Sequence, residues 1–288
     1  MQLFVNDLTV MDFSYLCPQR GMVGESWIVD VLLDGDLNEE SMVQDFGKVK
    51  KELKALIDDY VDHKLLVPAD NEISEIQRNA LTDKVQVTFD RGQGKKIYLD
   101  CPPDAYAFIY AEQISKASVK QYLKEVIAIH LPENVGGIEL TLREEVINTP
   151  FYHYTHGLKK HDGNCQRIAH GHRSKVEVLV DEQNSLEWQD YWSKRWCDIY
   201  IGSQEDLVAP SSVNSAFNDE DYVAFSYEAS QGQFELIMPR SEIELVDTDS
   251  TVECLAQFMA NEQKRLAPTH NYKVFAYEGV GKGAIAYA

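Results

Sequence analysis

Residues 85–99 read VQVTFDRGQGKKIYL, and the fold can be predicted outward from this stretch. Apolar and polar side chains alternate from Val85 to Phe89, a glycine-containing turn follows, and a second apolar segment begins at Ile97. Alternation on both sides of such a turn is typical of a β-hairpin. Residues 223–238, VAFSYEASQGQFELIM, repeat the arrangement. The sequence therefore predicts one hairpin in each half of the chain.

The segments around the two hairpins also occur in the same order. Each half has a predicted strand and a helix before its hairpin, then a second helix and a strand that ends beside a glutamate. This order predicts two α+β units, and we place their boundary near Ile147, giving residues 1–147 and 148–288. Chance similarity between mixed α+β segments is the alternative, but the shared order favours a duplication. The predicted strands and helices are 27–33, 46–60, 118–129 and 138–143, then 175–180, 185–191, 251–266 and 272–277.

The bulk composition excludes some partners. A chain of 288 residues can hold two ordinary domains. Its formal net charge of -20 repels nucleic acid and anionic membranes, so we expect neither as a partner. Apolar runs such as Trp27–Leu33 are too short to span a bilayer, and the first residues lack the pattern of a signal peptide. Five cysteines without a CxxC pair indicate reduced thiols and a cytoplasmic location.

The local pattern that most clearly indicates chemistry is His170-Gly171-His172. Residues i and i+2 of a strand point to the same side, so both imidazoles could bind one metal ion. With His156 upstream they give three histidines and an open fourth position, which is typical of a catalytic zinc site. Five of the eight histidines fall within residues 153–172, however. Chance clustering in a histidine-rich loop is therefore the alternative on spacing alone.

The segment YHYTHGL at residues 152–158, followed by Cys165 and His170-Gly171-His172, resembles a known protein family. It is similar to the metal and nucleophile region of the 6-pyruvoyl tetrahydropterin synthase family, which includes the 6-carboxytetrahydropterin synthase of the queuosine pathway. Four other segments resemble further motifs of that family. They are MVQDF at 42–46, DHKLL at 62–66, STVE at 250–253 and YE at 277–278.

The resemblance implies a tandem T-fold, in which each half is an antiparallel sheet with two helices on one face. It implies zinc at His156, His170 and His172. The implied substrate is a pterin such as 7,8-dihydroneopterin triphosphate, and the implied product is of the 6-carboxy- or 6-pyruvoyl-tetrahydropterin type. T-fold relatives assemble from several copies, so we expect a homo-oligomer, with three or two of these chains giving the barrel. Four residues separate Cys165 from His170, a gap that matches neither product type, so the product stays open.

The resemblance also implies roles for individual residues. Cys165 would act as a thiolate base, and Asp62 would orient His63, which would pass the proton onward. Glu278 would hold the pterin ring. For three further residues a structural alternative exists beside the substrate-binding role: Thr251 and Glu253 would support the ring or only cap a helix, and Glu144 would match Glu278 or only end a strand.

Neither half holds the full set of family residues. The first half has Val23-Gly24-Glu25 where the second has His170-Gly171-His172, and the second half has Gln204-Glu205 as the predicted counterpart of Asp62-His63. We therefore predict one composite site, built from both halves within one chain or between chains. Decay of both copies into a non-catalytic pterin-binding or scaffold protein is the alternative. Five cations of the second half are candidates for the triphosphate: Lys159, Lys160, Arg167, Arg173 and Lys175.

Overall fold

A computed structural model describes residues 1–288. The strands of the first half are β1 (Gln2–Cys17), β2 (Gly21–Gly35), β3 (Leu65–Pro68), β4 (Ser74–Arg78), β5 (Val85–Asp90), β6 (Lys96–Cys101), β7 (Tyr106–Ile109) and β8 (Val135–Arg143). Its helices are α1 (Phe46–Tyr60) and α2 (Lys116–Ala128). No helix of the structure is both long enough and apolar enough to cross a membrane.

The second half begins after β8 and contains three helices. Its strands are β9 (Phe151–His156), β10 (His170–Val180), β11 (Gln183–Asn184), β12 (Ile199–Ser203), β13 (Leu207–Val208), β14 (Tyr222–Ala229), β15 (Gly232–Pro239), β16 (Ile243–Val246), β17 (Tyr272–Tyr277) and β18 (Gly283–Tyr287). Its helices are α3 (Leu186–Arg195), the single-turn α4 (Pro210–Val213) and α5 (Val252–Leu266).

The two halves repeat one topology. The first sheet has the strand order β7-β3-β1-β2-β8, and the second has β16-β12-β9-β10-β17 with β18 added at its edge. Corresponding strands thus occupy corresponding positions, and each half places two long helices on its sheet. In the first half α1 and α2 share one hydrophobic cluster with the sheet, and in the second α3 and α5 do the same. The predicted α+β class and its duplication are confirmed.

One detail of the predicted sheets is different in the structure. β3 runs parallel to β1 and to β7, and β12 runs parallel to β9 and to β16. Each sheet is therefore mixed rather than wholly antiparallel. The reason is topological, because α1 and α3 carry the chain across their sheets, so that the next strand starts at the same end as β1 or β9.

The two hairpins join in a third sheet that both halves build. Its order is β13-β14-β15-β6-β5-β4, and β15 pairs with β6 across the junction between the halves. A cluster of 21 buried residues lies beneath it, with members from both halves. Residues 144–150 connect β8 to β9 outside any strand or helix. The boundary that we predict near Ile147 falls in this segment and stays a prediction.

Candidate metal centre and its surroundings

Three histidines converge where β9 ends and β10 begins. The antiparallel register pairs His170 with His156, and His172 lies two residues further along β10 on the same face. All three side chains are buried. The Nε2 atoms of His156 and His172 are 3.2 Å apart, and one ring nitrogen from each residue lies within 4.8 Å of the others.

The outer nitrogens of two of these rings are held by backbone carbonyls. His156 Nδ1 donates to the carbonyl of Ser250 at 2.8 Å, and His170 Nδ1 donates to that of Arg167 at 3.1 Å. A carbonyl only accepts, so each Nδ1 carries the proton and each Nε2 carries a lone pair. Burial, and after it the neighbouring histidines, lower the pKa of both rings well below the usual range. Both imidazoles are therefore in the neutral form that binds metals.

A carboxylate from the other half of the chain lies beside the third ring. Asp12 Oδ1 lies 3.2 Å from His172 Nδ1, and Asp12 is itself buried. Ser26 Oγ donates to Asp12 Oδ1 at 2.5 Å, and Lys282 Nζ lies 3.1 Å from Asp12 Oδ2. Burial by itself would raise the pKa of Asp12, but the charges of His172 and Lys282 outweigh it and hold that pKa below its usual range.

This arrangement fits a tetrahedral cation. Imidazole nitrogens about 2.0–2.1 Å from a zinc ion would lie about 3.3 Å from one another, close to the 3.2 Å between His156 and His172. Without a cation the inward lone pairs would face each other, and His170 Nε2 is buried with no hydrogen-bond partner. Three imidazoles leave a fourth position free, as in catalytic rather than structural zinc sites.

A second group of side chains lies beside His170. His63 has its ring centroid 5.1 Å from that of His170, and ligand atoms of His63, Cys165 and His170 lie within 4.8 Å of one another. Asp62 Oδ2 is 2.6 Å from His63 Nδ1, and Asp62 Oδ1 accepts from the backbone N–H of Asp12 at 2.7 Å. Burial opposes charge on the His63 ring, but Asp62 and Cys165 outweigh it and raise the pKa of His63 to about 10. His63 and Cys165, from different halves, thus meet within one chain.

The four predicted substrate-binding residues have different surroundings. Glu278 Oε1 lies 4.0 Å from His172 Nε2, so this carboxylate borders the histidine cluster. Thr251 caps α5 and accepts from the N–H of Cys254, next to the Ser250 carbonyl that holds His156. The remaining two have no hydrogen bond or ion pair to the cluster. Glu253 is exposed in the first turn of α5, and Glu144 pairs with Lys116 at 2.6 Å.

The first half has a counterpart of the histidine cluster without histidines. In the first half, Ser14 of β1 pairs with Gly24 of β2. In the second half, Thr155 of β9 pairs with Gly171 of β10 in the same way. The hydroxyls of Ser14 and Thr155 hydrogen-bond to each other at 2.7 Å. This register aligns Val23-Gly24-Glu25 with His170-Gly171-His172, as the sequence suggested. Tyr15 then takes the place of His156.

The register corrects one predicted correspondence. Leu65 pairs with Ser14, and Tyr200 pairs with Thr155 in the same way, so Leu65 and Tyr200 are counterparts. The residues two positions earlier, His63 and Asp198, are therefore counterparts as well. Gln204-Glu205 does not correspond to Asp62-His63. His63 and Asp198 share an unusual backbone conformation, with φ of 55° and 54°. Asp198 forms a bidentate ion pair with Arg20, at 2.5 and 2.8 Å, where His63 has Cys165. The place in the first half that corresponds to the candidate metal centre thus contains the ion pair of Arg20 with Asp198.

Comparison with known proteins finds a family that part of the chain resembles. A family model described as 6-pyruvoyl tetrahydropterin synthase matches residues 17–136. This part of the chain is similar to the 6-pyruvoyl tetrahydropterin synthase family. The matched synthase-family segment contains Asp62 and His63 but ends before the three histidines, which lie in the topologically equivalent second half.

Solved synthases are similar to about half of the chain. The 6-pyruvoyl tetrahydropterin synthase of Plasmodium vivax is 17% identical, with a TM-score of 0.40, over 52% of this chain and 93% of its own. The synthase of Plasmodium falciparum is 12% identical, with a TM-score of 0.39, over 49% of this chain and 90% of its own. A search of curated proteins finds no match.

Sequence reasoning missed three residues that complete the site. Asp12 and Ser26 support His172 from the first half, and Lys282 links Asp12 to Glu278, with Nζ 3.1 Å from the one and 3.9 Å from the other. Asp12 lies on β1, which the sequence did not predict as a strand. No local signal could have paired it with His172, because the two residues meet only through contact between the repeats.

Proposed function

We propose that the chain is a zinc-dependent lyase that acts on the side chain of a reduced pterin such as 7,8-dihydroneopterin triphosphate. The product would be of the 6-carboxy- or 6-pyruvoyl-tetrahydropterin type. The observation that carries the proposal is the contact of His63 and Cys165 beside His170. It brings an oriented histidine and a thiol to a cluster that fits a metal ion.

His156, His170 and His172 would hold zinc through Nε2. When bound, zinc supplies Lewis acidity, which makes hydroxyl groups and the C–H bonds beside them more acidic. The two carbonyls keep the rings of His156 and His170 in the required tautomer before any ion enters, and the Asp12 carboxylate lies 3.2 Å from Nδ1 of His172. The chain's own contribution is thus a buried set of three converging imidazoles.

Proton transfer would fall to Cys165 and His63. Cys165 in its thiolate form would take a proton from the substrate side chain, and the adjacent His63 would exchange that proton onward. Asp62 keeps the His63 ring in one orientation through the contact at 2.6 Å, and the Asp12 N–H fixes that carboxylate in turn.

Glu278 would orient the pterin ring. A carboxylate can accept two parallel hydrogen bonds from adjacent N–H groups, and this one borders the cluster, 4.0 Å from His172. Lys282 lies 3.9 Å from its other oxygen and would keep Glu278 turned toward the site. Thr251 would support the ring from the start of α5, whereas Glu253 and Glu144 lack such contacts.

The test combines metal analysis with product identification. Purified wild type should contain about one zinc ion per chain, and mass spectrometry should detect a cleaved pterin product after incubation with 7,8-dihydroneopterin triphosphate. His170→Ala should lose the zinc, whereas His161→Ala in the same loop should keep it. His63→Ala and Cys165→Ala should keep zinc and lose turnover, and the double variant should be little worse than either single one.

Mixing the two inactive variants should restore no activity, because His63 and Cys165 belong to one chain. Zinc-free wild type would refute the metal assignment, and ligand binding without any product would favour a pterin-binding scaffold.

We also propose a homo-oligomer, with three chains completing a six-repeat assembly, and a cytoplasmic location. Light scattering that gives the mass of a monomer would contradict the assembly.

A further inference from the structure

The structure contains two groups of three metal-ligating side chains whose ligand atoms all lie within 4.8 Å of one another. One is the cluster of His156, His170 and His172 described above. The other consists of His63, Cys165 and His170. The groups share one histidine, and only the second contains a sulfur atom. Cysteine and histidine are the usual ligands of zinc, so the second group has the composition of a metal site in its own right.

The two imidazoles of the second group each have one nitrogen left for a cation. Asp62 Oδ2 lies 2.6 Å from His63 Nδ1, so Nε2 is the free nitrogen of that ring. His170 Nδ1 donates to the Arg167 carbonyl, and its Nε2 is buried with no hydrogen-bond partner. Each ring is therefore held through one nitrogen while the other stays open, which is how proteins usually orient a metal-binding histidine.

The thiol is carried by an anchored turn. Cys165 is the central residue of the 3-10 turn Asn164–Gln166. The side chain that follows it, Gln166, is fully buried, donates to Ser230 Oγ at 2.9 Å and accepts from the N–H of Gln231 at 2.7 Å. These contacts tie the turn to the segment between β14 and β15. The sulfur atom therefore has a defined place beside the two rings.

A thiolate changes which cations a site prefers. Around a zinc ion about 2.3 Å from sulfur and about 2.0 Å from nitrogen, the two ligand atoms lie about 3.5 Å apart. The ligand atoms of the second group lie within 4.8 Å of one another, so small side-chain rotations close the site, and a larger cation needs less movement. Thiolates select soft cations, whereas three imidazoles suit zinc. The second group therefore suits Cd²⁺, which is larger and softer than Zn²⁺.

The two groups also differ in accessibility. The three histidines of the first cluster are buried, whereas the His63 side chain is 17% exposed and Cys165 is half-buried. Solvent therefore reaches the second group directly. Both groups need Nε2 of His170, and an imidazole nitrogen has a single lone pair. A cation that holds the full ligand set of one group thus excludes a cation from the other.

We propose that His63, Cys165 and His170 form a second cation site, which soft divalent cations such as Cd²⁺ occupy in place of a cation at the three-histidine cluster. The Cys165 thiol and the free nitrogen of His63 hold one dissociable proton between them, and the cation replaces this proton, which passes to solvent. The site depends only on the three side chains. Its consequence rests on the proposed function, because a cation here would occupy both proton-transfer groups and inhibit the lyase.

The direct test adds Cd²⁺ to the full chain after a chelator has removed bound metal. A sulfur-to-cadmium charge-transfer band in the ultraviolet reports the bond between cysteine and the cation. Wild type should show this band, and the band should saturate at one Cd²⁺ per chain. Cys165→Ser should lose it. Cys197→Ser is the matched control and should keep it, because Cys197 is an exposed thiol outside both groups.

Two further variants decide which histidines hold the cadmium. His63→Asn should lose most of the band, because it removes a ligand of the second group alone, and asparagine tolerates the φ of 55° at this position. His156→Gln should keep the band, because it removes a ligand of the first group alone. The opposite pattern would mean that Cys165 is a fourth ligand of the three-histidine cluster.

Three results would overturn the second site. They are the absence of a band in wild type, an undiminished band in His63→Asn, and the loss of the band in a His156→Gln variant that circular dichroism shows to be folded. The His63→Asn result decides the question by itself if His156→Gln does not fold.

Activity separates this inference from the proposed lyase. If zinc-loaded wild type turns over 7,8-dihydroneopterin triphosphate, Cd²⁺ should inhibit it as the band appears and zinc is released, and exchange back to zinc should restore the rate. Undiminished turnover with the band at its maximum would overturn the inhibitory role. If wild type turns over no pterin, the lyase proposal fails. A band that depends on Cys165 and His63 but not on His156 would still uphold the second site.

Discussion

At the scale of single residues, Asp12 connects the two repeats to one reaction centre. Its carboxylate lies 3.2 Å from His172 Nδ1 and 3.1 Å from Lys282 Nζ, and its backbone N–H holds Asp62. One residue therefore supports a proposed metal ligand through its side chain and the His63-orienting carboxylate through its backbone. A carboxylate in this position fixes the tautomer of the imidazole and raises its basicity.

Asp12→Asn should weaken zinc binding by about 10- to 100-fold, because an amide supports the imidazole less well than a carboxylate does. The backbone contact to Asp62 stays intact in this variant. Competition with a chromogenic chelator measures the affinity. Asp30→Asn is the control, since Asp30 is a β2 carboxylate paired with Arg143. Equal zinc affinity of wild type and Asp12→Asn would show that Asp12 does not support the site.

At the scale of elements, the β1–β2 and β9–β10 hairpins pack back to back on two glycines. A Cβ built on Gly24 would lie 1.9 Å from the Tyr154 carbonyl oxygen and 2.6 Å from the backbone nitrogen of His172. A Cβ on Gly171 would lie 2.6 Å from Gly24 Cα. The histidine cluster can therefore reach Asp12 only while both positions lack a side chain.

Gly24→Ala should destabilise the protein by about 3 kcal/mol or more, at the upper end of overpacking costs, because the contacts are with backbone atoms that cannot rotate away. Urea unfolding measures the loss. Gly137→Ala is the matched control, since Gly137 lies on the adjacent strand β8 and an alanine methyl there would have no atom within 4 Å. Equal unfolding midpoints for the two variants would contradict the close packing of the hairpins.

The strands were predicted unevenly from the sequence. The two hairpins and the four long helices follow from alternation and from helical spacing, and they stand within a few residues of where the pattern puts them. The longest strand, β1, was missed. Asn6 and Asp7 resemble a turn, but Asp7 has φ of 51° and the β1–β2 register shifts here, so the pair forms a bulge inside a continuous strand.

At the scale of the whole molecule, the repeats share a core. β15 pairs with β6 across the junction, where Lys84 bridges Asp100 of the first half and Glu235 of the second. The cluster of 21 buried residues under this sheet draws on both halves. Separating the halves would expose this cluster and two unpaired strand edges.

Fragments 1–147 and 148–288 should therefore not unfold cooperatively when expressed apart, whereas the whole chain should unfold in one transition. Co-expression of the fragments should restore a folded complex, because the missing contacts are not covalent. Circular dichroism during urea titration measures each case. A shared core would be contradicted by a fragment that unfolds alone in one sharp transition, if its free energy of unfolding depends on urea concentration as steeply as expected for its length.

The sequence by itself determined the local structure and the chemistry that it could carry. Alternation and helical spacing are properties of neighbouring residues, so they predicted both repeats, and His170-Gly171-His172 with His156 needs only two paired strands to converge. Tertiary structure decided the rest. The contacts of His63 with Cys165 and of Asp12 with His172 each join residues about 100 or more positions apart. They depend on how the two repeats pack, and no periodicity in one segment encodes a distance to the other.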